Sequence, residues 1–198
     1  MKEANGNTTL YATSSDFCRI FAEDMKNLYL LALLLTADAE KAEQCFVSGL
    51  EESSAGNQVF TEWAQSWARR TIIKNAIRLV APVARDSGPL AAKDAGKQLL
   101  GDHAQPELRT ALAPLFDLQP FERFVFVMSV LEGYSTRDCT LLLGCTLESL
   151  LAARVRAMQV VGQNQILSAA GDGESMRIGK LKKEPKAGWL LATAPTIG

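Results

Sequence analysis

The stretch from Ser135 to Val161 constrains the fold more than any other part of the chain. Ser135 stands three residues before Asp138. At that spacing a hydroxyl caps a helix and a carboxylate answers it, a variant of the capping box. The helix so started reaches Leu143, and Gly144 supplies the left-handed backbone conformation that ends helices. Thr146 then caps a second helix running to about Val161. Upstream, Pro120 suits the first turn of a helix ending near Leu131, and Glu132-Gly133-Tyr134 is a turn. Two short helices on a tight turn have to bury their apolar sides against other helices.

The rest of the chain follows the same helical period. Ser14, Ser15 or Asp16 caps a helix to about Leu35, with Phe17, Ile20, Phe21, Met25, Leu28, Leu31 and Leu35 at steps of three and four. A second helix covers about Ala39 to Glu52, and Ser53 to Asn57 is a loop. A third runs from Val59 to Val80 and is stopped by Pro82. A short helix from Glu107 to Phe116 precedes Pro120. No stretch alternates as a strand does. The expectation is an all-α chain of two small helical domains, residues 15–81 and 107–168, joined by a linker over 82–106. Residues 1–14 and 169–198 read as a disordered N-terminus and a flexible tail.

Composition narrows the function. The longest apolar run, Leu28 to Ala37, is about half of what a membrane span needs, and the first residues lack a leader's apolar stretch. A cytoplasmic protein with no membrane partner is expected. Cys18, Cys45, Cys139 and Cys145 have no metal-knuckle spacing, and His103 is far from all four. They read as buried, reduced thiols, with no metal and no cofactor. No phosphate loop and no paired-carboxylate, Cys/His or Ser/His set is present, so neither an enzyme nor a small-molecule substrate is expected.

Net charge is −1, so any nucleic-acid affinity must be local. From Ser15 to Ser54 there are eight acids and three bases, whereas from Val59 to Val80 Glu62 faces Arg69, Arg70, Lys74 and Arg78. The third helix is therefore the basic one. At roughly 100° per residue, Trp63, Trp67, Arg70, Lys74 and Arg78 fall within roughly 80° of one another. Two indoles and three cations on one face suit unpaired bases and their backbone. The competing reading makes one or both tryptophans core. The other face, with Ala68, Ile72, Ala76 and Leu79, is free to pack.

The segment LQPFERFVFVMSVLEGYSTRDCTLLLGCTLESLL resembles region 4 of bacterial RNA polymerase sigma factors, the sigma-70 superfamily, especially the extracytoplasmic-function (ECF) type. The shared frame is Leu118, Pro120, Arg123, Val125, Phe126, then Glu132 to Ser135, then Leu143 to Thr146. LYLLALLLTADAEKAEQCF and AQSWARRTIIKNAIR resemble parts of region 2 less closely. Three departures stand out. The Trp67-to-Asn75 spacing is one residue long, Val47-Ser48 replaces a polar Q-E pair, and Leu151-Ala152-Ala153 replaces a K-S-R run.

The resemblance implies a helix-turn-helix that meets promoter −35 DNA and a Trp/basic helix that handles the −10 element. It implies core RNA polymerase as partner, with Asp38, Glu40, Glu43 and Gln44 as candidate contacts, and brings an anti-sigma factor into view as another. An acidic face is otherwise simply solvated. Ser135, Thr136 and Arg137 are candidate phosphate contacts. Thr146, Ser149, Arg156 and Gln159 complete the candidate DNA-contacting set. The last helix is expected to bury Leu147, Leu150, Leu151, Val155 and Met158, leaving Arg156 and Gln159 as the outward base readers. Two other functions stay open: a diverged sigma-like adaptor that binds proteins without promoter recognition, and a stand-alone helix-turn-helix DNA-binding regulator. A generic helical hairpin within a bundle would share the same spacing.

Overall fold

The computed structural model describes residues 10–56, 58–84 and 112–163. Apart from Gln163, these belong to one unit, Met1–Gly162. Expectations for residues 1–9, most of the linker, the start of the helix from Glu107, and the tail lie outside the described residues. Among the described residues the regular elements are helices, with one isolated antiparallel bridge between Tyr11 and Phe60. The described residues are thus all-helical apart from that bridge, as their periodicity predicts.

The first helix is α1, Ser14–Glu23, and the next is α2, Met25–Thr36. The sequence suggested one continuous helix here, capped by Ser14, Ser15 or Asp16. The cap is Thr13, whose hydroxyl accepts the Asp16 N–H while the Asp16 carboxylate accepts the Thr13 N–H at 2.9 Å. The break comes at Asp24, whose carboxylate accepts from Asn27 and lies 3.6 Å from Arg69. A short acid that bonds sideways in this way competes with the helical backbone, and α1 ends there. Beyond it α2 is buried almost all round, at Leu28 and from Leu31 to Thr36, as a helix apolar on every side must be.

Asp38 caps α3, Ala39–Ser54, by accepting the Lys41 N–H at 3.0 Å. This helix includes Ser53 and Ser54, which the sequence had suggested as loop. Ser53 is buried, and its hydroxyl shares a 3.0 Å hydrogen bond with that of Thr71, so α3 gains by extending. A short 3-10 turn, Thr61–Trp63, leads into α4, Ala64–Val80. Ala81 takes a left-handed conformation (φ 46°), which ends the helix just before Pro82. Ala68, Ile72 and Ala76 are fully buried, so the apolar face of α4 packs as its period demands. Gly49 of α3 lets it approach: a Cβ there would lie 2.7 Å from Ile72 Cδ1.

Residues 112–116 form a helical segment, α5. Pro120 then opens α6, Pro120–Phe126, which runs on as a π-helical turn over Val127–Leu131. α7, Thr136–Leu143, is capped by Ser135, which accepts the Asp138 N–H at 3.1 Å. Gly144 ends it at φ 60°. Thr146 accepts the Ser149 N–H at 3.2 Å and starts α8, residues 147–163. One apolar core joins both sets of helices, from Phe21 and α2 through Phe124, Val125 and Met128 to Leu150, Ala153 and Ala157. Within it α2 packs directly against α6.

Candidate nucleic-acid interface

The aromatic and basic side chains of α4 open onto a cleft of about 1030 Å³. Its walls include Phe60, Trp63, Trp67, Arg70 and Lys74 on one side and Tyr134, Ser135 and Leu142 on the other. Four of the five residues expected on one face of this helix thus line one cavity. Arg78 is not among them. The cleft also includes residues that helical spacing did not single out. Phe60 holds the exposed Trp63 ring edge-on at 5.0 Å and stacks on Tyr11 at 5.0 Å. The signal for Phe60 was its place three residues before Trp63, whereas Tyr11, far off in sequence, gave none.

The two indoles do different work. Trp63 is 57% exposed and presents a ring to solvent. Trp67 is half-buried and packs against the cluster of Phe17, Val59 and Ala64. Its Nε1 is buried and has no hydrogen-bond partner among the described residues. Trp67 is therefore partly core and partly cleft wall, between the two readings its sequence allowed.

The cations are also unequal. Lys74 Nζ lies 2.7 Å from Glu52 Oε1, and Arg78 Nη1 lies 3.0 Å from Glu52 Oε2. Burial alone would raise the Glu52 carboxyl, but hydrogen bonds from Lys74 and Arg78 outweigh it and hold the group below its ordinary range. Arg70 makes no ion pair among the described residues, although its charge is felt by the Tyr134 phenol. Burial is the main cause that raises that phenol's pKa. Among the described residues the face thus offers one cation without an ion pair and two shared with an acid.

Arg69, adjacent to this set, turns the other way. Its Nε donates to Glu132 Oε2 at 2.7 Å, its Nη2 donates to Glu132 Oε1, and its Nη1 lies 3.6 Å from Asp24. No local pattern marks a pairing across 63 residues.

Other candidates are spread over separate surfaces. Asp38 is spent on its cap, with Lys41 alongside at 4.0 Å, while Glu40, Glu43 and Gln44 are exposed on α3. Ser135 and Thr146 are caps at helix starts, Thr136 and Ser149 are half-buried, and Arg137 and Gln159 are exposed. Arg156 is not a free base reader, because its Nε donates to Glu122 of α6 at 2.6 Å.

The phase of α8 differs from the sequence expectation. Of the expected inward stripe only Leu150 is buried. Ala153, outside that stripe, is buried with Ala157. Leu147, Leu151, Val155 and Met158 are exposed, and the first three line a shallow apolar groove together with Glu148, Ala152 and Arg156. Small side chains let the helix pack closely, so its contact face follows alanine rather than leucine. The cysteines need one correction as well. Cys45 and Cys139 are buried and Cys145 half-buried, but Cys18 is exposed. No described helix is long and apolar enough to cross a membrane.

No family model matches the chain, and no curated protein matches it. Among solved structures it is similar to the sigma factor RpoE from Bartonella quintana, determined in complex with the anti-sigma factor NepR. The two are 16% identical, the match covers 76% of this chain and 97% of that one, and the TM-score is 0.44.

Proposed function

We propose that the chain is a sigma-like transcription-initiation protein of ECF type, which binds core RNA polymerase and engages promoter −10 and −35 DNA. The observation that carries this reading is the cleft in which Trp63, Trp67, Arg70 and Lys74 meet beside the capped turn into α7. An exposed indole gives an unpaired base a stacking surface worth about 1–3 kcal/mol. Arg70 and Lys74 lie where the strand's phosphates would run. The resemblance of Leu118 to Thr146 to sigma region 4 supports the same reading. In it, Thr136 and Arg137 of α7 contact phosphates at −35, and the exposed Glu40, Glu43 and Gln44 of α3 face the polymerase. Such a protein does no chemistry of its own and works with the polymerase in the cytoplasm.

The test is a pull-down of purified core RNA polymerase on the full chain. Retention of the polymerase is expected, and its absence would sink the proposal. A second reading, a sigma-like adaptor, draws on α8. Its outward face carries Leu147, Leu151, Val155 and Met158, and Arg156 is engaged by Glu122. That face suits a protein partner, such as an anti-sigma factor, better than base edges. The adaptor predicts protein binding with no salt-dependent affinity for DNA.

A further inference from the structure

Two arginines fasten the first four helices to the later ones, and they differ in kind. Arg123 of α6 is buried and donates to the Leu35 and Thr36 carbonyls at the end of α2, at 3.2 and 3.5 Å. It satisfies neutral acceptors within the packed core. Arg69 of α4 instead meets two carboxylates at the edge of the cleft, those of Glu132 and Asp24. Its side chain is 30% exposed, so water and ions reach it. Glu132 directly precedes Gly133, whose left-handed φ of 68° turns the chain into the start of α7. The position of Tyr134 and Ser135 across the cleft is thus tied to the grip of Arg69 on Glu132.

We propose that Arg69, Glu132 and Asp24 form a clasp that holds the turn before α7 over the aromatic cleft of α4, and that an incoming nucleic-acid strand opens it by taking Arg69 for its own phosphate. The inference rests on the nucleic-acid reading of that cleft. A guanidinium binds a phosphate through the same paired N–H groups with which it binds a carboxylate, so the exchange replaces like with like. Arg69 is then a backbone contact masked in the free protein, and Glu132 is an internal competitor for it. The clasp accounts for a bidentate ion pair placed beside Arg70, which has no ion pair among the described residues, in a cleft that both α4 and the later helices line.

The test uses the full chain with Cys145→Ser and Leu141→Cys, spin-labelled at Cys18 and position 141. Cys18 and Leu141 are exposed, and Cys45 and Cys139 are buried. Distances between the labels are measured with and without a single-stranded oligothymidylate, whose affinity is read separately from tryptophan fluorescence in unlabelled protein. Glu132→Gln and, as a second variant in case the first misfolds, Asp24→Asn are expected to lengthen the distance. Each should also bind the oligonucleotide about fivefold more tightly, the ratio that loss of one partly screened competing ion pair gives. Arg69→Ala added to Glu132→Gln is expected to cancel the gain. Glu148→Gln, which removes an exposed acid on α8, controls for net charge and is expected to change neither readout. If Glu132→Gln and Asp24→Asn fold, yet match Glu148→Gln in both readouts, the clasp is overturned. A lengthened distance without oligonucleotide affinity in any variant supports the clasp and counts against the nucleic-acid reading, so the two failures are separable.

Discussion

Burial sets the chemistry of individual side chains here more than sequence neighbours do. Arg123 is buried without a carboxylate beside it, and burial pushes its guanidinium down to about 10. It stays in place because the last carbonyls of a helix carry partial negative charge and lack partners of their own. The thiols show the same control in the opposite direction. Burial raises Cys45 and Cys139 to about 11, against an ordinary value of 9.0. Because the folded values are the higher ones, the stability they contribute is fully present below about pH 9 and is lost as pH rises towards 11. A thiol reagent at neutral pH should therefore modify Cys18 first and Cys145 more slowly. Cys45 and Cys139 should react only on unfolding, and denaturant titrations should show a midpoint falling between pH 9 and 11. Equal reaction of all four thiols in the native protein would contradict this. The sequence placed Cys18 inside because its neighbours are apolar. Phe17 and Phe21 are the ones that point inward, and one residue of helical rotation carries Cys18 to the surface.

Among the elements, helix ends were the most legible. Pro120, Ser135, Gly144 and Thr146 mark their boundaries through local chemistry, and each acts where the sequence put it. The break at Asp24 was not legible from helical period, because the contacts that go with it include an ion pair with Arg69, far on in sequence, besides the local one with Asn27. The phase of α8 was misread for a related reason. Two apolar stripes run along that helix, one of leucine, valine and methionine and one centred on Leu150, Ala153 and Ala157. Side-chain size favours the first, but the core takes the second because alanine permits close approach. Leu150→Ala should therefore lower the unfolding free energy by about 2–4 kcal/mol, within the range for a large-to-small change in a core. Leu151→Ala, one position on, should stay within about 0.5 kcal/mol, as surface changes do. Urea unfolding of the two variants checks this, and equal costs would restore the leucine stripe as the packed face.

For the whole molecule, the candidate site was half legible. Helical spacing alone gathers Trp63, Trp67, Arg70 and Lys74, and the cleft brings those four together. What spacing cannot give is the state of the charges. Glu52 shares Lys74 and Arg78, and Glu132 holds Arg69, through contacts that only the packed molecule creates. The outward face of α8 is apolar, so under the proposed function most DNA contact would fall to α4 and the turn before α7, with the polymerase holding the chain at a promoter. The decisive measurement is transcription from promoter fragments with purified core polymerase plus the full chain, beside a Trp63→Ala, Arg70→Ala double variant that removes the exposed indole and the cation of the cleft that has no ion pair among the described residues. Discrete start sites that depend on the added chain are expected, with a double variant that binds the polymerase but opens no promoter. Discrete transcripts of equal yield from the double variant, or none from the unaltered chain on any promoter, would contradict it.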